Sequence, residues 1–268
     1  MKVPKPVKLA TALAATLLTL PAAHAGRTCE EGKPSVQVIE RGLTLAGRTA
    51  AALDASGERV VILARAGQDL TKYGLLYSHL GYAYQQPDGK GGHVWRVVHK
   101  LNTCGTSESA LYRQGLGEFF LDTPWRYEAA WVAPAREIQD RLLPLLQDNI
   151  RVASLNTRAY SIVSYAWGQK YQQSNQWALE TLALAMEPSA TTRERAQAWL
   201  QFKGYQPTTL KIGPLTRLGG RATAANIAFD DHPNEKRFSD RIETVTVDSM
   251  FTWLQRSGMA GAPVVVKL

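Results

Sequence analysis

The chain has 268 residues, 45% of them apolar, two cysteines and a formal charge of +8 at pH 7. It contains no internal repeat, heptad run or low-complexity tract, so fibrous and disordered classes are excluded and one large domain, or a core with an appendage, is expected. Its basic side chains form no block of like charge, which argues against a nucleic-acid partner.

Residues 1–25 carry Lys2, Lys5 and Lys8, an apolar run from Leu9 to Leu20, and Ala23-His24-Ala25 at the end. A basic start, a short apolar stretch and an A-x-A end predict a secretory signal peptide cleaved after Ala25. Neither that run nor any later stretch reaches the roughly 20 apolar residues of a spanning helix. A periplasmic or secreted protein without a transmembrane segment is therefore expected. Loss of the three lysines lowers the formal charge from +8 to +5. The expected partners are then cell-wall or other envelope components. In an oxidising compartment Cys29 and Cys104 are expected to form a disulfide. Closing a loop of that length contributes on the order of 4 kcal/mol in the chain-entropy description.

In chain order, Ser35 precedes a helix-period stretch (Val36, Ile39, Leu43, Ala46, Ala50, Leu53) that stops near Gly57. Strand-like segments follow over Arg59 to Arg65 and Leu75 to Gln86. The turn Pro87-Asp88-Gly89-Lys90-Gly91-Gly92 leads to a third, His93 to Leu101, and the last two should pair as a hairpin. His79 and His99 would then lie on adjacent strands. Thr106 to Phe120 reads as a helix weakened by Gly115 and Gly117, Tyr127 to Val132 as a strand, and Pro134 to Gln147 as a helix. Ser174 opens a compact helix to about Met186, and Thr191 with Glu194 forms a capping box for a helix ending at Gly204. Beyond Tyr205 the pattern is irregular until a strand-like Thr244 to Val247 and a short helix over Met250 to Leu254.

Two segments carry the chemistry: Tyr77-Ser78-His79-Leu80-Gly81 on a strand, and Gln173-Ser174-Asn175-Gln176-Trp177 at a helix start. A hydroxyl at a helix N-terminus sits where the dipole and free amides favour developing negative charge. A histidine within reach supplies the base, and a further polar group orients it. Ser174, His79, and His99 or Asn102 supply those types, with Tyr171, Gln172, Gln173, Asn175 and Trp177 as oxyanion or cleft candidates. Serine is also a favoured N-cap and a strand histidine is commonly a core residue, so both retain a purely structural reading. Asp230-Asp231-His232-Pro233 has metal-ligand types but no spaced partner, and neither metal nor cofactor is expected.

These segments, with Trp95 to Leu101, Tyr171 to Glu180 and Ala228 to Pro233, resemble a bacterial exported family catalogued as domain of unknown function 2145. More remotely, a strand His-x-Gly followed later by a helix-opening nucleophile resembles permuted papain-like proteins such as NlpC-type peptidases and lecithin retinol acyltransferase-like enzymes. Those carry Cys where this chain has Ser174, and a serine needs its proton removed during attack whereas a thiolate forms readily. The resemblance implies an α+β fold: a permuted papain-like core over residues 26–204, an antiparallel sheet packed on helices, and a C-terminal extension over 205–268. It implies either an amide or ester hydrolase or acyltransferase on an envelope substrate, or a catalytically inactive envelope binding module.

Overall fold

In the computed structural model, which describes residues 34–122 and 124–268, the first helix forms between caps that the local sequence supplies. The Ser35 hydroxyl accepts from the Val38 amide, Gly57 turns into the left-handed region at φ 66°, and α1 runs over Val36–Ser56 between them. The elements after it are β1 (Val60–Arg65), β2 (His79–Pro87), β3 (His93–Asn102), β4 (Ser109–Gly115), α2 (Leu116–Phe120), β5 (Glu128–Val132), α3 (Arg136–Gln147) and α4 (Asn149–Ala153). They continue with α5 (Ser174–Met186), α6 (Arg193–Phe202), β6 (Thr208–Lys211), α7 (Pro214–Thr223), α8 (Asn234–Phe238), β7 (Arg241–Thr244), α9 (Val247–Arg256) and β8 (Val264–Lys267). The expected signal segment and Cys29 lie outside the described residues. Cys104 is not a free thiol, but with Cys29 outside those residues its pairing stays an expectation.

Six strands form one antiparallel sheet in the order β4-β3-β2-β1-β5-β8, and β6 pairs with β7 in a separate ribbon. The fold is α+β. Both faces of the sheet are covered, which is why β1 is buried at every position and apolar from Val60 to Ala64. Val60, Ile62, Leu80, Tyr82 and Val98 face a core built with α3, α5, α6 and α9, whereas Val61, Leu63, Ala83, Val97 and Trp131 face α1 and α2. Among the described residues no helix is long and apolar enough to cross a membrane.

Three readings of local pattern are corrected. The Thr106 to Phe120 stretch is strand β4 followed by the one-turn helix α2. Its residues complete the open edge of β3, with His99 opposite Tyr112 in the register, and that pairing outweighs a helical pattern already interrupted by glycines. The cap of α6 is Thr192, whose hydroxyl accepts from the Arg195 amide at 3.3 Å, rather than Thr191. In the irregular tail, Thr244 closes β7, Val247 already opens α9, and Val264–Lys267 adds an edge strand on β5. The tail also supplies Val245, Val247, Met250 and Trp253 to the main core.

Helix α5 is enclosed on nearly every side and carries a buried carboxylate, Glu180. Arg193 of α6 meets it at 2.8 Å, Gln197 at 2.6 Å and Gln172 at 2.5 Å. The Arg193 guanidinium also donates to the carbonyls of Gly168, Gln169 and Tyr171, binding the segment that leads into α5. With Glu180 1% and Arg193 7% exposed, removing the cation strands a buried anion. Arg193→Met is expected to destabilise the protein by about 3–5 kcal/mol, read as a fall in the midpoint of urea unfolding; a loss below about 1 kcal/mol would contradict this role.

Candidate active site

The N-terminus of α5 meets the start of β2. Asn175 fastens the two elements, its Oδ1 accepting from the Leu80 amide at 3.2 Å and its Nδ2 reaching the Ser78 carbonyl at 3.5 Å. The N-cap is Gln173, whose side chain accepts from the Asn175 amide at 2.8 Å. Ser174 is therefore released from capping. Its hydroxyl lies 3.1 Å from Nδ1 of His79, and its own amide, in the first turn of the helix, has no intrahelical acceptor.

The contact chain continues inward. Nε2 of His79 is 2.8 Å from Nδ1 of His99, and Nε2 of His99 is 2.7 Å from Oε1 of Gln114. An amide oxygen only accepts, so His99 donates to Gln114 from Nε2 and accepts from His79 at Nδ1. His79 then carries its proton on Nε2 and leaves Nδ1 as the acceptor for the Ser174 hydroxyl. The tautomers of the whole row follow from its last member.

No carboxylate stands in this row. Burial, then Arg65, then His99 hold the His79 imidazole well below its ordinary 6.5. Burial and Arg65 draw His99 down to about 4, against a smaller opposing effect of Gln114. Both rings are neutral at pH 7. Arg65 donates to the Phe119 carbonyl and pairs with Asp122. The Tyr160 hydroxyl, raised to about 12 by burial and lowered in part by its hydrogen bond with Ser174, is a second polar group beside the serine.

Gly81 explains why the strand motif ends in glycine. A Cβ there would stand 2.8 Å from Cβ of His99, 2.9 Å from Val97 and 3.0 Å from the Val98 carbonyl. The bare backbone lets the His99 ring lie across β2 and reach His79.

A cleft of about 790 Å³ opens at Ser174 and His79 and includes Gln173, Asn175, Tyr160, Arg65 and Asp122 in its walls. Of the residues singled out from sequence, Ser174, His79, His99, Gln173 and Asn175 come together here. Gln173 lends its side chain to the Val245 carbonyl as well as to the cap. Gln172 is buried behind the site, accepting from Lys100 at 2.9 Å and from the Thr157 amide at 2.8 Å. Burial and Arg193 pull that lysine down to about 7. Tyr171 stands apart, its carbonyl held by Arg193 and its ring 5.2 Å from the Lys170 ammonium. Trp177 is a core residue packed against the edge of Tyr82 at 6.2 Å. Asn102 bonds the Thr106 and Glu108 carbonyls and does not meet His79. Asp231 and His232 are committed to each other, to the Tyr165 amide and to the Glu243 carbonyl.

Gln114, Arg65 and Tyr160 escape sequence reasoning. Gln114 belongs to the stretch with a helical pattern, and only its strand register on β3 aims it at His99.

The family described as "Uncharacterized protein conserved in bacteria (DUF2145)" matches residues 52–254, a span that contains every member of the row. No curated protein and no solved structure matches.

Two outcomes follow from this geometry. Gly81→Ala is expected to part β2 from β3 and cost about 1–3 kcal/mol, measured by thermal unfolding, and to uncouple the two imidazole signals in nitrogen NMR; unchanged imidazole signals would remove Gly81 from the row. His99 has its pKa lowered from 6.5 to about 4 in the folded chain, so the unfolded chain binds more protons in that interval. Stability is then full above pH 6.5 and lost as pH falls toward 4. His99→Gln should flatten that acid limb in a series of melting temperatures, and an equally steep limb in the variant would assign it elsewhere.

Proposed function

The chain belongs to the bacterial family DUF2145, and from its cleft we propose that it is an exported serine hydrolase or acyltransferase, acting on an amide or ester, with a permuted papain-like arrangement. The observation that carries this reading is the Ser174 hydroxyl at 3.1 Å from a histidine nitrogen whose tautomer is set to accept its proton. The secretory pattern of residues 1–25 supports export.

In this reading Ser174 Oγ attacks the carbonyl carbon, and its proton passes to Nδ1 of His79. The carbonyl electron pair moves onto oxygen, stabilised by the Ser174 amide and the Tyr160 hydroxyl. Collapse breaks the C–N or C–O bond, and the leaving group takes the proton back from His79. The acyl group stays on Ser174 until water or another acceptor, deprotonated by the same nitrogen, attacks its carbonyl; the C–Oγ bond then breaks and Ser174 Oγ takes the proton back from His79. The imidazolium formed in each half-reaction is shared with His99, since Gln114 accepts a hydrogen bond but not a proton.

One observation favours a second reading, that of a binding module without turnover. The imidazolium would form beside the Arg65 guanidinium with no anion in the row, which makes His79 a weak base and attack slow. In the hydrolase reading, the acid limb of the kcat/KM profile should lie below the ordinary imidazole value of 6.5.

A fluorophosphonate probe decides between the readings. A hydrolase is expected to be labelled at Ser174, with Ser174→Ala unlabelled and reduced at least about a thousandfold in turnover of an activated ester. If the folded protein takes no label, and Ser174→Cys is alkylated no faster than an exposed cysteine, the binding reading stands and the nucleophile is lost.

A further inference from the structure

Beyond Ser174 the cleft continues into a chamber that the reaction at its mouth does not use. Leu70, Leu75, Ile162, Leu210, Ile212 and Phe229 give it an apolar stretch, alongside the neutral polar side chains of Asn102, Asn226 and Thr244. Several of the apolar residues belong to a small hydrophobic cluster separate from the two that cover the sheet. Arg65 and Asp122 are the only charged side chains among the described lining residues, and they pair with each other at the Ser174 end. One wall is helix α7, which turns Thr216, Gly220 and Thr223 to the cleft and has none of its own residues buried.

We propose that this chamber receives an unbranched acyl chain, so that the group presented to Ser174 is the carbonyl of a long-chain acyl ester or amide. The volume, about 790 Å³, lies in the range of sites that enclose a ligand of that size. A stem peptide of the cell wall would bring carboxylates and amines into walls whose charged side chains among the described residues, Arg65 and Asp122, already pair with each other, at a desolvation cost that a methylene chain does not incur. A neutral chain gains from burial along its whole length. The chemistry at the chain's carbonyl rests on the hydrolase reading, whereas the binding of the chain does not.

The test is displacement of cis-parinaric acid from the mature Ser174→Ala protein, which cannot turn its ligands over. The competitors are butyryl, octanoyl and lauroyl monoglycerides and a neutral apolar tripeptide. Full burial of a methylene is worth about fourfold in affinity, so lauroyl should displace the probe at least about a hundredfold better than butyryl, and better than the tripeptide. Ile227→Asp, at the partly exposed rim, should weaken lauroyl binding about tenfold while a thermal melt reports that it is folded. Equal affinity across chain lengths, or a tripeptide that competes as well as lauroyl, overturns the proposal. Chain-length dependence in a protein whose Ser174 takes no fluorophosphonate would sustain the acyl chamber and remove the nucleophile. A labelled Ser174 with no chain-length dependence would do the reverse.

Discussion

The buried Glu180 carboxylate is the constraint on which the site depends. A carboxylate at a helix centre is tolerated in a dry interior only when several donors meet it, and here Arg193, Gln197 and Gln172 converge on it. Satisfying that anion has a structural by-product. The same guanidinium collects three carbonyls of the segment before α5, while Gln172 holds Lys100 of β3 and the Thr157 amide. An otherwise irregular approach to Ser174 is thereby fixed to both the helix and the sheet.

The position of the serine then depends on a division of labour within a few residues. Gln173 caps the helix, Asn175 holds β2, and Ser174 between them is left to face His79. Histidine order is set from the far end, where the Gln114 oxygen dictates one tautomer after another. A row ending in an amide differs electrostatically from one ending in a carboxylate. It orients the imidazole equally well but does not neutralise the imidazolium, so it favours geometry over basicity.

The C-terminal part contributes more than a cover. Leu210, Ile212, Phe229 and α7 build the apolar end of the cleft, while α9 joins the main core and β8 extends the sheet. The two ends of the cleft thus have different origins. The polar mouth comes from the sheet and α5, and the apolar chamber from residues after 205 together with Leu70, Leu75 and Ile162.

Much was legible in the residues alone. The caps of α1, the β2–β3 hairpin and the helix at Ser174 are signals contained in a few neighbouring positions, and they led to an α+β fold with His79 and His99 on adjacent strands. The pairing of Ser174 with His79 was also readable, because a helix start and a strand histidine are each marked locally. Tertiary structure alone decided the rest. Gln114 and β4 depend on the open edge of β3, which overrides a local helical pattern. Gly81 matters because another strand's side chain needs its space. Val264–Lys267 becomes a strand only where β5 offers an edge, and the pKa values of the histidines are set by burial and by an arginine fourteen positions from His79 in the chain. Local sequence encodes what a segment prefers by itself; hydrogen-bond partners, packing space and dielectric come from segments distant in the chain, so they exist only once the fold is complete.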